Sequence, residues 1–175
     1  LVRRTEVEAE GEVVRDLRHR AAQVARGELS DGAGAIALYE QIFEDHPSDE
    51  RASQALRELY ERGERSKDLL KLLERLVDLA AGPEARAALR VDAARISDGL
   101  GSASEAIDLL RAVLDEAPAH EEASLLLSRM YEKTGRDDDL AELLERQIGL
   151  AAERSETGAE LRFRVRLGEV FETRL

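Results

Sequence analysis

The chain has 175 residues, 43% of them hydrophobic, and a formal net charge of −12, enough apolar content to bury a core as one domain. That acidity argues against a nucleic-acid surface, which needs dense Lys and Arg on one face, and the absence of cysteine excludes disulfides and thiol chemistry. No apolar run approaches the roughly 20 residues of a membrane span and no export leader is visible; the compartment is left unknown, with the cytoplasm only as a default.

Only three prolines, six aromatics and few β-branched runs, with an apolar set dominated by Ala and Leu, predict an all-α fold. Taken in chain order, residues 1–9 resemble the close of a second helix, within a partial repeat over 1–12. Helix pairs are then predicted at 14–29 with 33–45, 49–62 with 65–81, 84–99 with 103–116, and 120–134 with 137–153. A lone helix at about 159–173 completes a second partial repeat over 159–175. Four hairpins, 14–45, 49–81, 84–116 and 120–153, thus make one repeat domain over 1–175. Pro47, Pro83 and Pro118 are expected to close successive second helices, because proline cannot continue the hydrogen-bond ladder.

An internal repeat carries this reading. An ungapped shift of 71 residues lays Pro47–Ala81 over Pro118–Ala152 with nearly half of the positions identical. Ala52, Ser53, Leu56 and Tyr60 recur as Ala123, Ser124, Leu127 and Tyr131, and Asp68, Leu69, Leu72 and Leu73 recur as Asp139, Leu140, Leu143 and Leu144. Apolar residues at spacings of three and four put a stripe on each helix. Ala35, Ile36 and Leu38 pair with Ala106, Ile107 and Leu109 under the same shift, so each 71-residue unit holds two hairpins and the elementary period is about 35.

The stretch EEASLLLSRMYEKTGRDDDLAELLERQI resembles a tetratricopeptide repeat, with Leu127, Tyr131 and Gly135 at first-helix and turn positions and Ala35 and Ala106 as the small residue early in second helices. The repeats are degenerate: the usual early Trp is absent, and Leu69 and Leu140 replace that small residue. Half-a-tetratricopeptide and Sel1-like arrays have hairpins of similar length. The resemblance implies a right-handed superhelical solenoid of antiparallel helix hairpins whose first helices line a concave surface. On that surface it places Gln54, Glu58 and Arg62, then Asp92 and Arg95, then Leu125, Arg129 and Lys133 as a partner-binding groove. Chaperone-tail clamps of this family use Lys and Asn pairs, and this chain has no asparagine.

Catalytic chemistry finds no support. His19, His46 and His120 fall in different repeats, without a second ligand at metal-site spacing, and read as surface or turn residues. Asp137–Asp138–Asp139 lacks the glycine and terminal glutamate of a calcium loop, and Gly32 and Gly34 follow no strand and precede no phosphate-loop lysine. The expectation is therefore a non-enzymatic scaffold, with no catalytic, metal or cofactor site and no membrane span, that binds a protein or peptide partner and not nucleic acid. The alternative is a structural spacer or self-assembly segment of a larger protein. Both ends read as broken hairpins exposing Leu, Val and Phe163 or Phe171, so the chain looks cut from a longer array and self-association through its open ends is expected.

Overall fold

Helix-forming residues, punctuated about every 17 by a glycine, proline or capping side chain, leave little choice of secondary structure. The computed structural model describes residues 2–174, with side chains from residue 11 onward. Along them run α1 (Val2–Gly27), α2 (Gly32–Asp45), α3 (Glu50–Arg62), α4 (Ser66–Leu79), α5 (Pro83–Gly99), α6 (Ala103–Glu116), α7 (Glu121–Thr134), α8 (Asp137–Glu153) and α9 (Thr157–Thr173). No strand occurs among the described residues. The fold class is all-α and built from helical hairpins, in which α1, α3, α5, α7 and α9 are first helices and α2, α4, α6 and α8 second helices.

Two expectations at helix ends need correction. The break expected between residues 12 and 14 does not occur, because α1 is continuous from Val2 to Gly27. Gly11 is the one weak helix former there, and a single glycine costs about 1 kcal/mol without ending a helix. The side chains of residues 1–10, on which the likeness to a second-helix end rested, lie outside the described residues. Pro83 opens α5 rather than closing α4, since proline's fixed φ suits the first helical position. Pro47 and Pro118, by contrast, follow the ends of α2 and α6.

Each turn from a first to a second helix contains one left-handed residue: Ser30 (φ 53°), Glu64 (φ 52°), Gly101 (φ 81°) and Gly135 (φ 67°). In three of these turns the next amide reaches back five residues, Arg65 to Tyr60 and Arg136 to Tyr131 at 2.9 Å and Ser102 to Ser97 at 2.8 Å. This is the Schellman closure, which satisfies carbonyls left over at a helix end. Glu64 and Gly135 are equivalent under the 71-residue shift, so one conformation is held by a strained residue in one repeat and by the unstrained one in the other. Glu64→Gly should raise stability by up to about 1 kcal/mol, and Gly135→Ala, with open space around its Cβ, should lower it by about 1 kcal/mol. Urea midpoints of the two variants check this pair.

The same turns carry a clasp repeated 71 residues apart. The Arg65 guanidinium lies over the Tyr60 ring at 5.0 Å and its Nε reaches Asp68 at 2.7 Å; Arg136 lies over Tyr131 at 5.1 Å and reaches Asp139 at 2.7 Å. Cation–π and ion-pair contacts of this exposed kind contribute about 0.5–1 kcal/mol each. Desolvation, strengthened by the Glu40 carboxylate that accepts from its hydroxyl at 2.7 Å, pushes Tyr60 well above an ordinary phenol.

By packing, the chain divides into two compact units, Leu1–Leu72 and Leu73–Leu175. In the first, α1 packs on α2 and α2 on α3. The small residues Ala22, Ala35 and Ala52 are fully buried and let the helices approach around Ile42, Phe43 and Leu56. His19 is 2% exposed, contrary to the surface position expected for it. Its Nε2 stands 3.0 Å from the Asp49 carboxylate, and its ring lies 5.9 Å from that of Tyr39. Asp49 also caps α3 by accepting from the Ala52 amide at 2.9 Å. Burial works to raise the Asp49 pKa, but the His19 and Ala52 hydrogen bonds and the nearby Arg15 outweigh it, holding the carboxyl below its ordinary value.

In the second unit α5 packs on α6, α6 on α7, α7 on α8 and α8 on α9. One apolar core runs through it, from Val91 through Leu110, Val113, Leu127, Leu140 and Leu144 to Val170. Phe163 packs partly against this core, whereas Phe171 is half exposed. At the position equivalent to Asp49, His120 caps α7, its Nδ1 accepting from the Ala123 amide at 3.2 Å.

Candidate protein-interaction surface

First helices present residues off their apolar stripes, and neighbouring first helices are stitched by ion pairs about one repeat apart in sequence. Within the first unit Arg26 on α1 reaches Glu58 on α3 at 2.9 Å. Within the second, Arg95 on α5 pairs with Glu122 on α7, Lys133 on α7 with Asp98 on α5, and Arg166 on α9 with Glu132 on α7, the last at 2.6 Å. Most of these groups are a third or more exposed, so each pair adds only about 0–1 kcal/mol. Their larger effect is on register, since each fixes one first helix beside the next.

Four of the eight anticipated groove residues, Glu58, Asp92, Arg95 and Lys133, therefore already interact inside the chain. Asp92 is half-buried on α5. Gln54 and Arg62 on α3, in the first unit, and Leu125 and Arg129 on α7, in the second, are exposed. Arg62 and Arg129 have no ion pair among the described residues.

The second unit also contains a groove of about 270 Å³ between α7, α8 and α9. Leu125, Leu150 and Phe163 give it apolar walls, while Arg154 at the end of α8 and Arg162 and Arg166 on α9 stand along it. Its buried polar groups are spent internally: Ser128 donates to the Ser124 carbonyl at 2.9 Å and Gln147 to the Pro118 carbonyl at 3.2 Å. Of the anticipated residues only Leu125 lines this groove. Lining residues not anticipated from the sequence, such as Leu150, Arg154, Arg162, Phe163 and Arg166, lie on α8, at its end and on α9, and an apolar stripe read along one helix does not show which side chains of the next meet it.

Among the described residues no group of three or more His, Asp or Glu is placed to hold a metal, and no helix is long and apolar enough to cross a membrane. The Asp137–Asp138–Asp139 run is the first turn of α8, with Asp137 paired to Arg174 at 3.0 Å and Asp139 to Arg136 at 2.7 Å. Carboxylates there complement the helix dipole.

Consecutive antiparallel hairpins with repeated turns, caps and lateral ion pairs define a helical-repeat protein. Residues 99–156, from the end of α5 through α8, match the tetratricopeptide repeat family. Among solved structures, the chain resembles nearly identical TPR-like repeats from Podosopora anserina, with 24% identity over 90% of this chain and 85% of that one and a TM-score of 0.52. It also resembles MamA, with 17% identity over 90% and 92% of the two chains and a TM-score of 0.52. A tetratricopeptide repeat protein from Parabacteroides merdae is 11% identical over 91% and 67%, with a TM-score of 0.54. At these identities the likeness is one of fold. No curated protein matches.

Proposed function

We propose that the chain is a non-catalytic scaffold that takes a segment of a protein partner along the face presented by the first helices of its second unit, α5, α7 and α9. The tetratricopeptide architecture supports protein interaction in general, since stacked hairpins offer extended surfaces. The observation that carries the finer reading is Arg129 on α7: an exposed guanidinium without an internal ion pair, beside neighbours that have one. Next to it, Leu125 is 45% exposed and offers an apolar contact.

Arg129→Glu should weaken capture of the partner by about 1–3 kcal/mol, as for a charge-assisted contact across an interface, and leave the helical spectrum unchanged. A pull-down with the immobilised full chain measures this, and unchanged capture would move the site off α7. Arg95→Glu is a poorer probe, because it also breaks the pair with Glu122.

A second reading, self-assembly, draws on one observation: α9 exposes Leu161 (62%), Val165 (56%) and Phe171 (52%). Sedimentation of the chain and of a Leu161→Glu, Val165→Glu variant tests it. Association that disappears in the variant supports it, and a monomer at all concentrations removes it.

A further inference from the structure

We infer that the groove between α7, α8 and α9 receives an acidic, extended segment of a partner protein, with an apolar side chain seated between its walls and a carboxylate on the arginines beside it. The inference rests on the scaffold reading above and names the chemistry of what is held. At about 270 Å³ the groove falls below the usual size of a cofactor or small-molecule pocket, and it suits one or two side chains of a longer ligand.

Its walls fix the chemistry. Leu125, Leu150 and Phe163 offer apolar surface, and the internally bonded Ser128 and Gln147 leave little for a polar side chain to bind. Arg154, Arg162 and Arg166 give the groove three guanidiniums, in a chain whose formal charge is −12. Arg154 and Arg162 have no ion pair among the described residues, and Arg166 is held in place by Glu132. Glu121 and Glu156 also border the groove, but they stand at the N-terminal ends of α7 and α9, where the helix dipoles offset part of their charge and three guanidiniums outnumber them. An arginine fork matches a carboxylate in bidentate fashion, which makes an acidic residue the favoured neighbour of the seated apolar one.

The test uses the full chain and fluorescein-labelled twelve-residue peptide pools in which Leu or Phe alternates with Asp or Glu. Control pools replace the acids with Lys or with Gln. Fluorescence polarisation should show binding of the acidic pool alone, reduced at least about tenfold in an Arg154→Gln, Arg162→Gln variant and also in Leu125→Ala, with unchanged circular dichroism. Equal binding of the Lys or Gln pools, binding of no pool, or an unaltered affinity in the arginine variant would overturn it. Self-association abolished by that same variant would also overturn it, by showing that a second copy fills the groove. Partner capture that is sensitive to Arg129→Glu but indifferent to the Arg154 and Arg162 substitutions would sink this inference and leave the scaffold reading standing. Indifference to all of them would remove both.

Discussion

Leu144→Ala should destabilise the second unit by about 2–5 kcal/mol, the range for deleting a fully buried leucine whose cavity cannot collapse. Leu144 is 1% exposed on α8, in the same core as Leu110, Val113, Leu127 and Leu140, so its truncation leaves a void inside that core. A hairpin in such an array is stabilised chiefly by its neighbours, and a defect at one interface weakens the units on both sides of it. Leu161→Ala on α9, where the side chain is 62% exposed, should change stability by less than about 1 kcal/mol. Urea unfolding followed by helical ellipticity compares the two; equal losses would contradict the packing described for this unit.

Asp49→Ala should cost about 2–4 kcal/mol. The substitution removes the α3 cap, a loss of about 1 kcal/mol, and strips His19 of its carboxylate, leaving a buried imidazole group without its partner at a further cost of about 1–3 kcal/mol. The pH dependence has a definite sign. The folded carboxyl titrates below its ordinary value of 3.8, so its contribution is fully present above that value and is lost as pH falls through the lower folded one. Asp49→Asn should flatten this acid limb. At the equivalent position on α7, His120→Asp should retain or improve the cap, since a carboxylate there also meets the positive end of the helix dipole. A loss larger than about 1 kcal/mol in His120→Asp would show that the two caps are not interchangeable.

Much of the fold is written in residues whose spacing records burial. Leu56, Tyr60, Leu127 and Tyr131 recur because each occupies the same seat against the neighbouring helices, and all four are buried. Residues chosen for charge rather than burial were less legible. Arg65 and Arg136 recur just as faithfully as the tyrosines, yet their part in the turn clasp needs the ring beneath them to be seen. His19 lies in a helix that looks polar along its length, and it takes the ring of Tyr39 on α2 and the Asp49 carboxylate at the start of α3 to explain why it is buried.

The candidate surface was legible only in outline. Off-stripe residues on first helices do face away from the core, but which of them remain available depends on charges one repeat distant, as Glu58 with Arg26 and Lys133 with Asp98 show. Opposite charges separated by 32 to 35 residues were a usable signal for those pairs. The walls formed by Leu150, Arg154 and Phe163 were not, because they combine the end of one helix with the side of the next.

Site-specific photo-cross-linking bears most directly on the claim that first helices carry the partner. With p-benzoylphenylalanine introduced in place of Arg129 on α7, and separately in place of the exposed Glu145 on α8, the full chain is irradiated in lysate and cross-linked products are identified. A discrete protein adduct at position 129, absent at 145 and competed away by the unmodified chain, is the predicted result. Adducts at 145 with none at 129 would contradict the account.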